Sequence, residues 1–280
     1  MQNIHAHVWD QSLHISPQTV READLSRGYP IDLTVHLEAL LEDSEPFDRV
    51  VVFGLKARRT GYWVPDEYVA AIVARAPQKL VGFAACDPIQ PECLDELRRA
   101  VDELGLKGLK MGPIYAGIDP RDPRCGPVYA FCQEQGLPIL FHTGTTFNRD
   151  APLGLSRPWL FDEVAIRYPE LRMVLAHLGH PFGGECIAVI RKHPYVYADV
   201  AALFYRPWQF YNMMILAQEY GVMHKLLFGT DYPFATSAES IQGLRNVNEV
   251  TGNSGLPHVG PLAVEDLLRR DSLALLGVTP

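Results

Sequence analysis

The chain has 280 residues, 48% of them hydrophobic and 21% charged, with a formal net charge of −8. That is ordinary globular composition, and the acidic balance excludes an extended nucleic-acid or anionic-membrane surface, since either needs a basic excess. A small molecule is the partner this leaves. No run approaches roughly eighteen uninterrupted apolar residues and no basic leader precedes an apolar stretch, so neither a membrane span nor a secretory signal is expected. The cysteines Cys86, Cys93, Cys125, Cys132 and Cys186 are odd in number and form no CxxC pair. They read as reduced thiols of a cytoplasmic protein, without a structural zinc site.

In chain order, eight short β-branched or aliphatic runs read as strands: Asn3–Trp9, Arg49–Leu55, Leu80–Cys86, Leu106–Gly112, Pro138–Thr143, Arg172–Leu178, Val196–Ala201 and Leu226–Asp231. Between them lie helical patterns, among them DLTVHLEALLEDS, PDEYVAAIVARAP, PECLDELRRAVDEL, GPVYAFCQEQG, RPWLFDEVAIRY, GECIAVIRKH and PWQFYNMMILAQEYG. A further helix is expected over Ala238–Val250, a loop over Thr251–Pro261, and an amphipathic segment AVEDLLRRDSLALLG packed on the outside. Strand and helix in regular alternation are the pattern of βαβ units on a parallel sheet, and the nearly continuous apolar strands suit burial on both faces. Eight units predict a closed (β/α)8 barrel in one domain spanning residues 1–280. No GxGxxG opens the first helix, which removes the motif support for a dinucleotide-binding sheet.

In such a barrel the C-terminal ends of the strands carry the active site. His5 and His7 share one face of the first strand, because alternate side chains along a strand point the same way. His142 in PILFHTG ends the fifth strand, His177 in MVLAHLGH the sixth, and Asp231 in LLFGTDYP the eighth. Each has a plainer reading. Paired histidines can be the wet face of a terminal strand, a lone histidine after an apolar strand is usually hydrogen-bonded core, and an aspartate before Tyr-Pro can open a turn. Convergence is what those readings leave unexplained. The eighth strand closes against the first, so His5, His7, His142 and Asp231 can reach one ion, and three nitrogens with one oxygen suit zinc or another first-row cation.

These residues resemble the amidohydrolase superfamily, in the branch of aminocarboxymuconate-semialdehyde decarboxylase, resorcylate-type decarboxylases, pyrone-dicarboxylate lactonase and sugar lactonases. HAH, HTG, AHLGH and GTDYP carry the resemblance, which extends over essentially the whole chain, GLKGLKMGP and PELRMVLAHLGHPFGGE included. The resemblance implies one divalent ion, zinc first and manganese second, held by His5, His7, His142 and Asp231, with His177 as acid, base or carbonyl polariser. Other branches bridge two metals with a carboxylated lysine, and Lys110 stands near that place; in the branch most resembled the lysine is not a ligand. Lys110 is then a substrate-binding cation, or a lysine snorkelling at the rim.

Two reaction classes follow. In hydrolysis of a lactone, ester or amide, Asp231 accepts the proton of a metal-activated water while His177 polarises the carbonyl. In non-oxidative decarboxylation of an aromatic or muconate-type acid, His177 or Asp231 protonates the carbon that CO2 leaves. The HAHVWD opening and the lack of a long inserted lid favour hydrolysis, which is the first reading, while GLKMGPIYAGIDPRDPR and HTGTTF favour the carboxy-lyase, which is the alternative. A non-catalytic barrel scaffold is the least supported reading, because every expected ligand is present. Both enzyme readings imply an anionic substrate. The candidate counter-charges are Lys56, Arg58, Arg59, Lys110 and Arg157, with Arg58 and Lys110 preferred. Trp9, Tyr115, Phe147 and Trp159 are candidate apolar walls, Trp9 and Tyr115 foremost, and His180 a turn cap before Pro181. The resemblance is also compatible with a homodimer.

Overall fold

A computed structural model describes residues 1–279. Every run expected to be a strand is one: β1 Gln2–His7, β2 Arg49–Phe53, β3 Leu80–Cys86, β4 Leu109–Met111, β5 Ile139–Phe141, β6 Met173–Leu175, β7 Val196–Asp199 and β8 Leu226–Leu227. They pair in chain order, each parallel to the next. The ladder to β2 slips inside β1: Asn3 pairs with Val50 but Ala6 with Val52, leaving one extra residue on β1. Such a bulge re-aims the side chains beyond it.

β8 is short, yet the segment after it continues along β1. Ile4 N donates to the Phe228 carbonyl at 3.0 Å, Asp231 N to the His5 carbonyl at 2.8 Å, and His7 N to the Tyr232 carbonyl at 2.8 Å. These bonds close the sheet into a (β/α)8 barrel and carry Asp231 to the histidines of β1. Gly229 permits the approach, since a Cβ there would lie 2.7 Å from the Cβ of His5.

Strand alternation divides the core. Val51 and Phe53 join Phe83, Leu140, Val174 and Leu227 in one buried cluster, while Val50 and Val52 belong to the layer against the helices. Leu273, Leu276 and Val278 complete the first cluster. The C-terminal region therefore does two jobs. Helix Pro261–Arg269 packs outside the barrel as expected, and the turn Ser272–Leu275 lies against β1, its Leu273 N donating to Gln2 Oε1 at 2.9 Å.

Two features depart from expectation. A helix over Pro17–Arg27 follows β1, started by the Ser16 cap and Pro17 and stopped by Gly28 at φ 79°. Its buried face is Thr19, Glu22 and Ala23 while Leu25 is exposed, so it lacks the apolar periodicity that announces a helix. The expectation of five reduced thiols is also corrected: Cys86 at the end of β3 and Cys93 at the start of the next helix form a disulfide, their Cα atoms 5.8 Å apart. The short connection folds back on itself, a proximity that cysteine spacing alone does not show. The remaining three cysteines are free and buried. A cytoplasmic location inferred from reduced thiols loses that support. No helix among the described residues is long and apolar enough to cross a membrane.

Candidate functional site

At the C-terminal end of the barrel, Asp231 Oδ1 lies 3.1 Å from His5 Nε2 and 3.2 Å from His7 Nε2. Two atoms each about 2.1 Å from a common ion stand about 3.0 to 3.4 Å apart at octahedral or tetrahedral angles, so these spacings match the edge of a coordination shell. His5, His177 and Asp231 each offer a ligand atom within 4.8 Å of the others. His7 Nδ1 is buried without a hydrogen-bond partner. That atom is the ring's far nitrogen, since Nε2 faces Asp231, so the fit to a cation rests on the spacings of the two Nε2 atoms from the carboxylate. The donors are imidazole and carboxylate, which suit zinc and manganese alike.

His142 is placed differently from the other expected ligands. Its Nε2 stands 3.1 Å from the Thr145 carbonyl and 3.2 Å from the Tyr115 hydroxyl, and its ring centre is 5.2 Å from that of His177. The structure thus gathers His5, His7, His177 and Asp231 tightly, with His142 alongside.

The cluster is held from below by Asp199, which sequence reasoning missed. One carboxylate oxygen meets His5 Nδ1 at 2.8 Å; the other accepts the backbone N–H of His177 at 2.8 Å and of Ala201 at 3.0 Å. Burial opposes its charge, but His5 and His177 hold its carboxyl down to about 2. The signal was a single acid at the end of an apolar strand, VYAD. His177 and Leu178 take left-handed φ values of 58° and 47°, and Asp231 takes 66°. Non-glycine residues there carry strain, on the order of 1–3 kcal/mol each, and such residues cluster at functional sites. For His177 the bond to Asp199 and the 3.0 Å contact of Nδ1 with the Ala201 carbonyl impose the conformation and leave Nε2 free.

The charges sort by surroundings. Burial opposes ionisation of Asp231, yet His5 and His177 hold it well below the usual carboxylate range. Burial and Lys110 act against a proton on His5, but Asp199 and Asp231 outweigh them and raise it. Burial lowers His7 to about 3 and depresses His142 and His177. His7, His142 and His177 are thus held in the neutral form that a metal requires, whereas His5, between two carboxylates, is pushed the other way.

Above the cluster opens a cavity of about 400 Å³. His7, His142, His177 and Asp231 line it, as do Trp9, Lys110, Tyr115, Phe147 and His180 among the residues singled out in the sequence. Trp9 stacks on His7 with ring centres 4.2 Å apart. Lys110 is buried, its Nζ 3.3 Å from His5 Nε2 and 4.7 Å from the centre of the Phe53 ring, and burial lowers it to about 8.

The other expected cations lie off the cavity lining. Arg58 packs its guanidinium 3.7 Å from the Trp63 ring centre, Lys56 pairs with Asp66 and Glu96, Arg59 donates to the Asp150 carbonyl, and Arg157 pairs with Glu185. The hairpin Lys56–Ala57/Tyr62–Trp63 turns Arg58 onto Trp63, which is why Arg58 is not a wall residue. Trp159 is 61% exposed and also off the lining. In their place Arg27, from the unexpected helix, and Arg206, after β7, line the cavity with Tyr62, Tyr205 and Phe234.

The comparisons agree with this architecture. The chain is 24% identical over 265 residues to the 2-amino-3-carboxymuconate-6-semialdehyde decarboxylase of Dictyostelium discoideum, covering 79% of this chain and 70% of that protein. Among solved structures, an uncharacterised TIM-barrel protein from Bordetella bronchiseptica superposes with a TM-score of 0.75 at 21% identity, covering 99% of this chain and all of the other. A probable 2-pyrone-4,6-dicarboxylic acid hydrolase from Acinetobacter baumannii gives a TM-score of 0.67 at 15% identity, over 99% of this chain and 98% of that one. The amidohydrolase family model matches residues 3–270, and the chain belongs to that family.

Proposed function

We propose that this protein is a metal-dependent decarboxylase of a small unsaturated or aromatic carboxylic acid. The observation that carries the reading is the juxtaposition, in one cavity, of the His5–His7–Asp231 cluster with a buried ammonium, Lys110, 3.3 Å from His5. A cation at the floor of an aromatic-walled cavity favours a carboxylate brought to the cluster. The choice of carboxy-lyase is supported by the Dictyostelium relative, a decarboxylase over most of the chain. HAHVWD, the opening that favours hydrolysis, carries less weight once Asp10 is placed: its side chain caps the turn Gln11–His14, accepting from Ser12 N and Leu13 N.

His5, His7 and Asp231, with His142 or His177, are the residues that would hold the ion, zinc first and manganese second. When bound, the ion supplies Lewis-acid polarisation of a substrate oxygen. Lys110 attracts the carboxylate, and the Trp9, Tyr62 and Phe234 walls exclude water. His177 Nε2, whose lone pair is free because Nδ1–H donates to the Ala201 carbonyl, takes a proton from water and passes it to the carbon that loses CO2. The products are CO2 and the acid's residue with hydrogen in place of carboxylate.

The second reading, opening of a lactone by hydrolysis, is favoured by the structural likeness to the Acinetobacter protein. Incubating metal-loaded protein with aromatic and muconate-type acids and with lactones, while recording CO2 and acid release, separates the two. CO2 evolution supports the decarboxylase; acid release from a lactone without CO2 replaces it with the hydrolase.

A further inference from the structure

Arg27 and Arg206 line the cavity from two segments distant in sequence, the helix after β1 and the loop after β7. Both guanidiniums lie against one ring: Arg206 Cζ is 4.5 Å and Arg27 Cζ 5.8 Å from the centre of Tyr205, and Arg27 is also 6.0 Å from that of Phe234. Nine arginines elsewhere meet a carboxylate, and others, such as Arg58 on Trp63 and Arg59 at the Asp150 carbonyl, are engaged away from the cavity. Arg75, Arg99, Arg157 and Arg245 each meet a glutamate, whereas Arg27 and Arg206 meet no carboxylate among the described residues. Among the described residues the only acidic one on the cavity lining is Asp231, already engaged with His5 and His7. Two like charges held beside one aromatic ring repel each other, and Tyr205 compensates only in part by its π face.

From this we infer that Arg27 and Arg206 form an anion subsite at the cavity wall, so that the substrate carries a second carboxylate besides the one directed to the metal cluster and Lys110. The inference rests on the reading of an anionic substrate and deepens it to a dianion. Guanidinium is suited to the role, because its planar fork meets carboxylate oxygens in pairs and stays charged at any working pH. Tyr205 splints the pair, ordering both side chains before the ligand arrives and reducing the entropy lost on binding.

The test uses the full-length, metal-saturated protein and three unreactive probes, benzoate, isophthalate and terephthalate, titrated calorimetrically. They share a ring and differ in the presence and direction of a second carboxylate. Wild-type protein is expected to bind at least one dianion about tenfold or more tightly than benzoate. Arg27→Gln and Arg206→Gln should each remove most of that preference while benzoate affinity, metal content and melting temperature stay at wild-type values. Arg206→Lys should keep part of it, as charge without the fork. A wild-type protein without preference for either dianion overturns the inference, and so does a preference that survives in both glutamine variants. Failure of all three acids to bind overturns it too, and alone among these results also counts against an anionic substrate; the reaction class is read separately, from CO2 release.

Discussion

Asp199 Oδ2 lies 2.8 Å from His5 Nδ1, and neither side chain has exposed surface. The same carboxylate also holds the His177 backbone, so one buried acid orients two histidines of the site. Partners that fix the far nitrogen of a metal-binding imidazole typically contribute about 10- to 100-fold in affinity or activity. Asp199→Asn is therefore expected to weaken metal binding by about that factor, measured by competition with a chromogenic chelator. Wild-type affinity in the variant would separate Asp199 from the metal centre.

His142 and His177 can be told apart by what they retain. His142→Ala and Asp231→Asn are expected to lower bound metal and turnover together. His177→Asn should keep its metal and lose about a hundredfold or more in turnover, as removal of a general acid–base group does. Elemental analysis beside steady-state rates reads both. Metal lost from His177→Asn and kept in His142→Ala would assign the fourth ligand to His177, which the structure draws into the cluster.

The histidines also set a pH dependence for metal-free protein. Burial holds His7 neutral down to about 3 and lowers His142 and His177, whereas unfolded imidazoles protonate at about 6.5. Below that value the unfolded chain binds more protons. The contribution is complete above about pH 6.5 and is lost as pH falls towards the folded values, at up to about 1.4 kcal/mol per pH unit for each histidine. His5 acts in the opposite sense, because Asp199 and Asp231 overcome burial and Lys110 to raise it, and so offsets one of the three. The urea midpoint of chelator-treated protein should therefore be lower at about pH 5 than at about pH 7. An equal or higher midpoint would show these histidines to be solvated.

Burial pushes the Cys125 thiol up to about 12 and those of Cys132 and Cys186 up as well, so none forms thiolate at neutral pH. Native protein should be inert to an aromatic disulfide reagent. Unfolding without reductant should expose three thiols, and prior reduction all five. Five thiols without reduction would remove the Cys86–Cys93 bond.

The strands were legible because a strand buried on both faces must be apolar throughout, and its end is marked where histidine or aspartate interrupts the run, as in PILFHTG and LLFGTDYP. The helix Pro17–Arg27 was not, since its buried face mixes threonine, glutamate and alanine. Asp199 was overlooked for a related reason: one acid after three strand residues has no periodic signature, and its value lies in reaching His5, 194 residues away.

Arg58 and Arg27 show where residue type stops informing. Both are arginines near a strand or helix end, yet Arg58 is spent on Trp63 while Arg27 faces the cavity. By itself, the sequence determined the barrel, the strand ends at which the candidate site gathers and the residue types that meet there, because hydrophobic period and strand order are local properties. Only the tertiary structure decided which side chains share the cavity, which histidines meet Asp231 and which cations are left unpaired, because those depend on contacts across the closure of β8 on β1 and between loops far apart in the chain.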